Sequence, residues 1–493
     1  MRRPTRLRAV LLAAVTAAAV FTSTACTGGG RPAPTPTRPS PATSAPGSAA
    51  PPLSAAGGTA NPFGAHWDWS RYDQFTPYLR KLAGSATYHE LSWCDVEKTR
   101  GRPDWAGVDQ VAKRSKELGI TLNLKIRIGV CWATGGTAQY TRGEANKTES
   151  AMPRDLATYQ AFVRALVARY SPYGVRQYAI ENEVNAEQYW AGSPEDYTRL
   201  VRSAAEAIHA ADPQARVVDS GISSVAYGFG MVDHLLQAGR TAEAIAAYRA
   251  YFARRIGTRG QKIPAVGDAS QLEKALANET NARNLAFLAA TERLLDDGVV
   301  QLRQLHFYEH FSAVPALVGY LKAQTPAGVP VEAWEVGQFW RDGDGDAASR
   351  AGEMVKVVAQ LIAGGVRQVM WLPLAYSPGN RAGAEVRYGL LDPDGTEREA
   401  GRMLASLVGA AREATVTPIA TGRLTGVAFE RSGATTVVVW SASGATVTVA
   451  SGPGLRSAAV GAPLKAAGTV TVADTPVLLA GDGTAAQVLS GVR

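Results

Sequence analysis

The chain has 493 residues, 46% of them hydrophobic and 19% charged, a composition that suits well-cored globular units and a length too great for one small domain. Its formal net charge of +8 misdescribes the folded part, because six arginines and no acid lie in residues 1–60; taking those six from the 51 basic residues leaves 45 against 43 acids. A nearly neutral body gives no electrostatic case for a nucleic-acid partner.

Residues 1–26 read as a signal peptide: Arg2, Arg3, Arg6 and Arg8 precede an apolar stretch, 9–21, too short to span a bilayer. "STAC" then resembles a bacterial lipobox, although Ser23 stands where an apolar residue is usual. Cys26 would be the lipidated residue and would anchor the chain to a membrane, with plain cleavage after Ala25 as the alternative. Residues 27–60 hold eight prolines among Gly, Ser, Thr and Ala and read as an extended linker. No later segment has about 18 uninterrupted apolar residues.

From Asn61 short apolar runs alternate with amphipathic helical stretches. The runs are "PFGAHWDW", "TYHELSWC", "LNLKIRIGVCW", "RQYAIENEVN", "ARVVDSGISS", "LRQLHFYEHF", "VPVEAWEVGQFW" and "RQVMWLPLAY". Eight strand–helix alternations over 61–412 predict an α/β fold, a (β/α)8 TIM barrel. The doubly wound open sheet is the rival, and the first strand–helix turn lacks the glycine-rich phosphate loop that would favour it. An insertion near 224–274 is expected to be a helical pair over the barrel mouth. Residues 413–493 alternate β-branched and small residues between Gly turns, which predicts a small C-terminal antiparallel β-sandwich. Cys94 and Cys131 end neighbouring strands; in an exported chain they are expected to form a disulfide, with two buried thiols as the alternative.

Catalytic groups of such a barrel gather at the C-terminal ends of its strands. Read in order, those ends offer His66; His89, Glu90 and Trp93; Arg127; Asn182 and Glu183; His306 and Tyr308; Glu335; and Trp371. Two carboxylates with amide, imidazole and phenol groups between them suit hydrolysis of a sugar acetal, which needs a proton for the leaving oxygen and electron density at the anomeric carbon.

On these motifs the sequence resembles clan A of the glycoside hydrolases, especially family 39, the β-xylosidase-like enzymes. "ENE" resembles the Asn–Glu end of strand four, which implies Asn182 beside the acid/base Glu183. "EAWEVG" resembles the nucleophile strand, which implies Glu335. "HFY" resembles the His-x-Tyr of strand six, and "MWLPL" the strand with a floor tryptophan, Trp371. The resemblance implies a retaining mechanism on an oligosaccharide or polysaccharide, with no cofactor and no metal. Glu183 would carry the proton in the free enzyme, kept there by burial and by the Glu335 charge, Asn182 would bond the sugar 2-hydroxyl and Tyr308 would bond Glu335. Trp93, His66 and Arg127 are further candidates for sugar contact; core, rim or ion-pair roles are the alternatives. Trp190 is a candidate sugar platform.

Strict alternation puts Val331, Ala333 and Glu335 on one face of strand seven and Glu332 and Trp334 on the other, and it puts Glu181 on the same face as Glu183 but deeper. Glu332 and Glu181 are alternatives to the chosen pair, and Glu309 is a third because it directly follows the His-x-Tyr. Asp342, Asp344 and Asp346, with Glu353, have calcium-loop spacing, but Ala347 occupies the position that needs Gly, and an acidic turn is preferred. A carbohydrate-binding protein on an inactive barrel is the rival function, and the presence of both carboxylates argues against it.

Overall fold

The computed structural model describes residues 61–134, 150–258, 263–340, 345–376, 388–450 and 454–492. The signal and linker segments with Cys26, and Asp342 and Asp344 of the acidic turn, lie outside the described residues.

Eight parallel strands form one sheet: β1 (Phe63–Ala65), β2 (Ala86–Ser92), β3 (Thr121–Arg127), β4 (Gln177–Ile180), β5 (Arg216–Val218), β6 (Arg303–Phe307), β7 (Val331–Val336) and β8 (Gln368–Trp371). Their order is β5-β4-β3-β2-β1-β8-β7-β6, and parallel bridges Val218–Leu302 and Ile222–Leu305 join its two edges into a barrel. The lumen is filled by Ala86, Tyr88, Ala179, Val218, Trp334 and Met370, so the barrel is a packed core rather than a pore. Outward residues such as Leu124, Ile126, Ile180, Leu305 and Val369 pack under the helices.

Among the described residues four helices connect β5 to β6: Ser224–Gln237 and Thr241–Tyr251 within the expected insertion, Ala269–Ala277 across its end, and Glu279–Asp296 beyond it. The residues after the second of them reach the loop beyond β6 and the helix that follows β7, Ala347–Ala363, where Arg255 pairs with Glu309 at 2.6 Å and Arg254 with Glu353 at 2.6 Å. Among the described residues no helix is long and apolar enough to cross a membrane.

After the last barrel helix, Glu399–Ala411, the chain enters an antiparallel unit of β9 (Thr415–Ala420), β10 (Leu424–Arg431), β11 (Ala434–Ser441), β12 (Val447–Ala450), β13 (Arg456–Ala459), β14 (Lys465–Ala466), β15 (Thr469–Val472) and β16 (Val477–Asp482). A six-stranded sheet, β14-β13-β16-β11-β10-β9, faces a two-stranded one, β12-β15, across a core that includes Leu424, Val437, Val439, Val449, Val472 and Leu479. Phe429 meets Phe63 of β1 edge-on at 5.9 Å, and Asp474 pairs with the buried Lys356 at 2.6 Å, so the sandwich is fastened to the barrel by both apolar and charged contacts.

Cys94 and Cys131 are bonded, with Cα atoms 5.6 Å apart and a sequence separation of 37. The bond ties the segment after β2 to the segment after β3. Closing a loop of that length removes conformational entropy from the unfolded chain, so Cys94→Ser with Cys131→Ser is expected to lose about 2–4 kcal/mol. Thermal melts should show this as a lower Tm for the variant and for reduced wild type; equal melting of all three would show that the link constrains nothing.

Candidate active site

The site is built where the regular strand pattern breaks. On β7, Glu332 opposes Gln304 and Glu335 opposes His306, so three steps of β7 match two of β6. The same excess appears against β8, where Ala333 opposes Val369 and Val336 opposes Trp371. One extra residue in β7 is a β-bulge, a device that re-aims side chains. Strict alternation is therefore wrong for this strand. Glu332 and Trp334 face the lumen, Val331 and Ala333 face outward, and the bulge turns Glu335 inward as well.

β4 breaks differently. Glu181 and Glu183 both have positive φ, 68° and 40°, a region that non-glycine residues visit rarely and at a cost. The kinked backbone separates three neighbouring polar side chains. Glu181 is fully buried and accepts from the Ile128 N–H at 2.8 Å; burial pushes its carboxyl up to about 7 against the opposing charge of Arg127. Asn182 and Glu183 turn to the lumen.

Around Glu335 four strands converge. Lys125 of β3, with no solvent exposure, donates to Glu335 Oε1 at 2.5 Å and to Asn182 Oδ1 at 2.7 Å, and its ammonium lies 4.4 Å from the centre of the Tyr88 ring. Tyr88 of β2 donates to the same carboxylate oxygen at 3.1 Å, and Tyr308 donates to Oε2 at 3.0 Å. Burial alone would raise the Glu335 carboxyl, but the facing His306 imidazole, the Lys125 ammonium and the Lys125 hydrogen bond outweigh it and hold the group well below the usual carboxylate range. Burial and the Glu335 charge push both phenols up, so each stays a donor.

His306 bridges the two carboxylates. Its Nδ1 lies 2.9 Å from Glu183 Oε1 and 3.5 Å from Glu335 Oε2, and an oxygen of Glu183 comes within 4.8 Å of an oxygen of Glu335. Three such groups are close enough to share a metal ion. The Lys125 ammonium pairs with Glu335 through Oε1, whereas His306 faces Oε2. His66 stacks on Tyr88 at 4.0 Å beside this centre, and burial holds its imidazole down to about 4, so it is neutral there.

Other candidates stand elsewhere. Arg127 pairs with Glu90 at 3.2 Å and Glu181 at 3.6 Å and donates to the Tyr189 carbonyl at 3.1 Å, contacts that brace the rim. Trp93 is packed into the helix layer. It is 1% exposed, stacks on Phe162 of the outer helix Leu156–Tyr170, and donates its indole N–H to Glu97 at 2.7 Å. Trp371 pairs with Ala65 and Val336 in the outward row, and it lines a small cavity with Ala347, Arg350 and Ala351 rather than the cleft floor. Trp190 is fully buried and offers no open face. Glu309 is held by Arg255 and by Ser224 at 2.9 Å, and Glu332 by Arg367 and Trp334.

Three residues of the centre escape a strand-end reading: Tyr88, Lys125 and Gln304. The one available signal was Lys125, a lysine between leucine and isoleucine in "LNLKIRIG". A buried ammonium must have anionic or hydrogen-bonding partners.

No protein-family model matches the sequence, and no curated protein matches it. Solved structures do. A family 39 glycoside hydrolase from the gut symbiont Bacteroides cellulosilyticus WH2 superposes with a TM-score of 0.57 at 14% identity, over 85% of this chain and 80% of that one. A family 39 β-xylosidase from Caulobacter crescentus gives 0.56 at 15%, over 86% and 96%. A family 39 enzyme from Xanthomonas axonopodis pv. citri gives 0.52 at 13%, over 86% and 94%. At these identities the likeness establishes a shared fold.

Proposed function

We propose that this chain is an exported glycoside hydrolase that cleaves β-glycosidic bonds with retention of configuration. Glu335 attacks the anomeric carbon while Glu183 gives its proton to the leaving oxygen. The glycosyl ester on Glu335 is then opened by a water whose proton returns to Glu183. The observation that carries this reading is the carboxylate spacing, within 4.8 Å between nearest oxygens. Retention needs about 5–5.5 Å between carboxyl groups, whereas inversion needs about 6.5–9.5 Å to admit a water between them.

The electrostatics support Glu335 as the nucleophile. Glu335 accepts from the Lys125 ammonium and from the Tyr88 and Tyr308 hydroxyls and is held ionised, as a nucleophile must be. Asn182 gives its oxygen to Lys125, which leaves its NH2 for a sugar hydroxyl. The fold shared with a family 39 β-xylosidase supports a β-xyloside or related glycan as substrate. The leader-like residues 1–26 and the disulfide support export, with Cys26 as the lipid anchor. A screen of aryl β-glycosides, followed by NMR of the first product anomer, tests the proposal. Release of the β-anomer first is expected; an inverted first product overturns the double displacement.

A further inference from the structure

We propose that Gln304 and Asp219 are positioning residues that fix the tautomer of His306, so that its Nδ1 faces Glu183 and the acid proton is held in a Glu183–His306 pair. This rests on the glycosidase reading for its kinetic consequences, but its geometric core does not.

The side-chain nitrogen of Gln304 lies 2.8 Å from the carbonyl oxygen of Asp219, which can only accept. Gln304 must therefore point its NH2 there and its Oε1 at the imidazole, where Nε2 lies 3.0 Å away. An oxygen in that place requires a hydrogen on Nε2. Lys125 Nζ, 3.4 Å from the same nitrogen, is itself a donor and cannot supply an acceptor. In the neutral ring Nδ1 is then bare. Its 2.9 Å contact with Glu183 Oε1 needs one proton, and that proton is the carboxyl's. The pair thus holds a single transferable proton. It leaves to the departing oxygen from Glu183 and is restored from the attacking water, and nothing is oxidised or reduced.

The surroundings are built for this arrangement. Asp219 is fully buried and clamps the strand from below, accepting the Gln304 N–H at 2.9 Å and the Gly221 N–H at 2.7 Å. Gly221 has φ 67°, and a Cβ there would lie 2.2 Å from His306 Nε2 and 2.8 Å from the Gln304 amide carbon. The relay therefore fits only against a glycine. The charged groups facing the ring are Lys125 from β3, Glu183 after β4, Asp219 after β5 and Glu335 from β7, with His66 and Tyr308 beside Glu335.

Two measurements decide it. In 15N-histidine NMR of the full chain, the His306 signals are identified by their loss in His306→Gln. Wild type is expected to carry hydrogen on Nε2 at neutral pH, and Gln304→Met to lose that constraint and populate the other tautomer. A bare Nε2 in wild type, or an unchanged spectrum in Gln304→Met, overturns the proposal, whether or not the protein hydrolyses anything. In kinetics, Gln304→Met should slow an alkyl glycoside about tenfold or more, within the ~10²–10⁴-fold that general acid catalysis supplies, and leave a dinitrophenyl glycoside nearly unaffected. Gln304→Glu, which adds a negative charge opposite Nε2–H, should move the alkaline limb of kcat/KM up by about one pH unit. Equal loss on both leaving groups, with no movement of that limb, also overturns it. Absence of hydrolysis by wild type on any glycoside would instead sink the glycosidase reading, and the spectra would still judge the tautomer.

Discussion

Glu335→Gln is expected to lower kcat on aryl β-glycosides by on the order of 10⁴-fold or more, the scale seen when a nucleophile is removed from an otherwise intact site. Glutamine keeps the shape and still accepts from Lys125 and Tyr88 through its oxygen, so the fold and sugar binding should survive; it cannot form the glycosyl ester. Glu183→Gln should behave differently. Its deficit should grow as the leaving group becomes poorer, because only the protonation step is lost. Azide sharpens the contrast. In Glu183→Ala the anion can enter where the base stood and open the ester with net retention. In Glu335→Ala it takes the place of the nucleophile, beside the Lys125 ammonium, and a single displacement gives inversion. Near wild-type turnover of Glu335→Gln, or retained azide product from Glu335→Ala, would remove Glu335 from the nucleophile role.

The large periodicities of the fold were legible because burial enforces them. Eight apolar runs separated by amphipathic stretches leave few architectures, and the change of texture near residue 413 matches a change from helix Glu399–Ala411 to strand Thr415–Ala420. The polar ends of strands four, six and seven were legible because "ENE", "HFY" and "EAWEVG" put charges where an apolar run stops. What escaped was anything that depends on departures from period two. The bulge on β7 and the positive φ of Glu181 and Glu183 leave no mark in composition, yet they decide which side chains reach the lumen. The tryptophans misled for a related reason. A large aromatic at a strand end has two apolar places to go, the cleft and the helix layer, and Trp93, Trp190 and Trp371 took the second. Lys125 was hidden inside a strand rather than at its end, since a barrel lumen can hold a charge at depth when facing strands supply partners.

Lys125→Met is expected to cut kcat by about 10²-fold and to move the acidic limb of the pH profile upward by more than about one unit. The sign follows from Glu335. Its carboxyl is depressed in the folded protein, so the active, ionised form persists to low pH and the group adds stability above its unfolded value that is lost as pH falls. Without the ammonium, its charge and its hydrogen bond no longer oppose burial, protonation of Glu335 becomes easier, and activity fails at higher pH. Stability should follow the same charge. At neutral pH the variant keeps a buried carboxylate stripped of its cation, a loss of roughly 3–5 kcal/mol that lessens in acid as Glu335 takes up a proton. Lys125→Met combined with Glu335→Gln removes both charges, and it should melt above the single lysine variant at neutral pH while remaining inactive. An unmoved acidic limb in Lys125→Met would show that Tyr88, Tyr308 and His306 suffice to keep the nucleophile ionised. A double variant no more stable than the single one would mean that the ammonium fills space rather than balances charge. The predicted coupling, in which one substitution costs both rate and stability and the second restores only stability, is what a cation serving the nucleophile should produce.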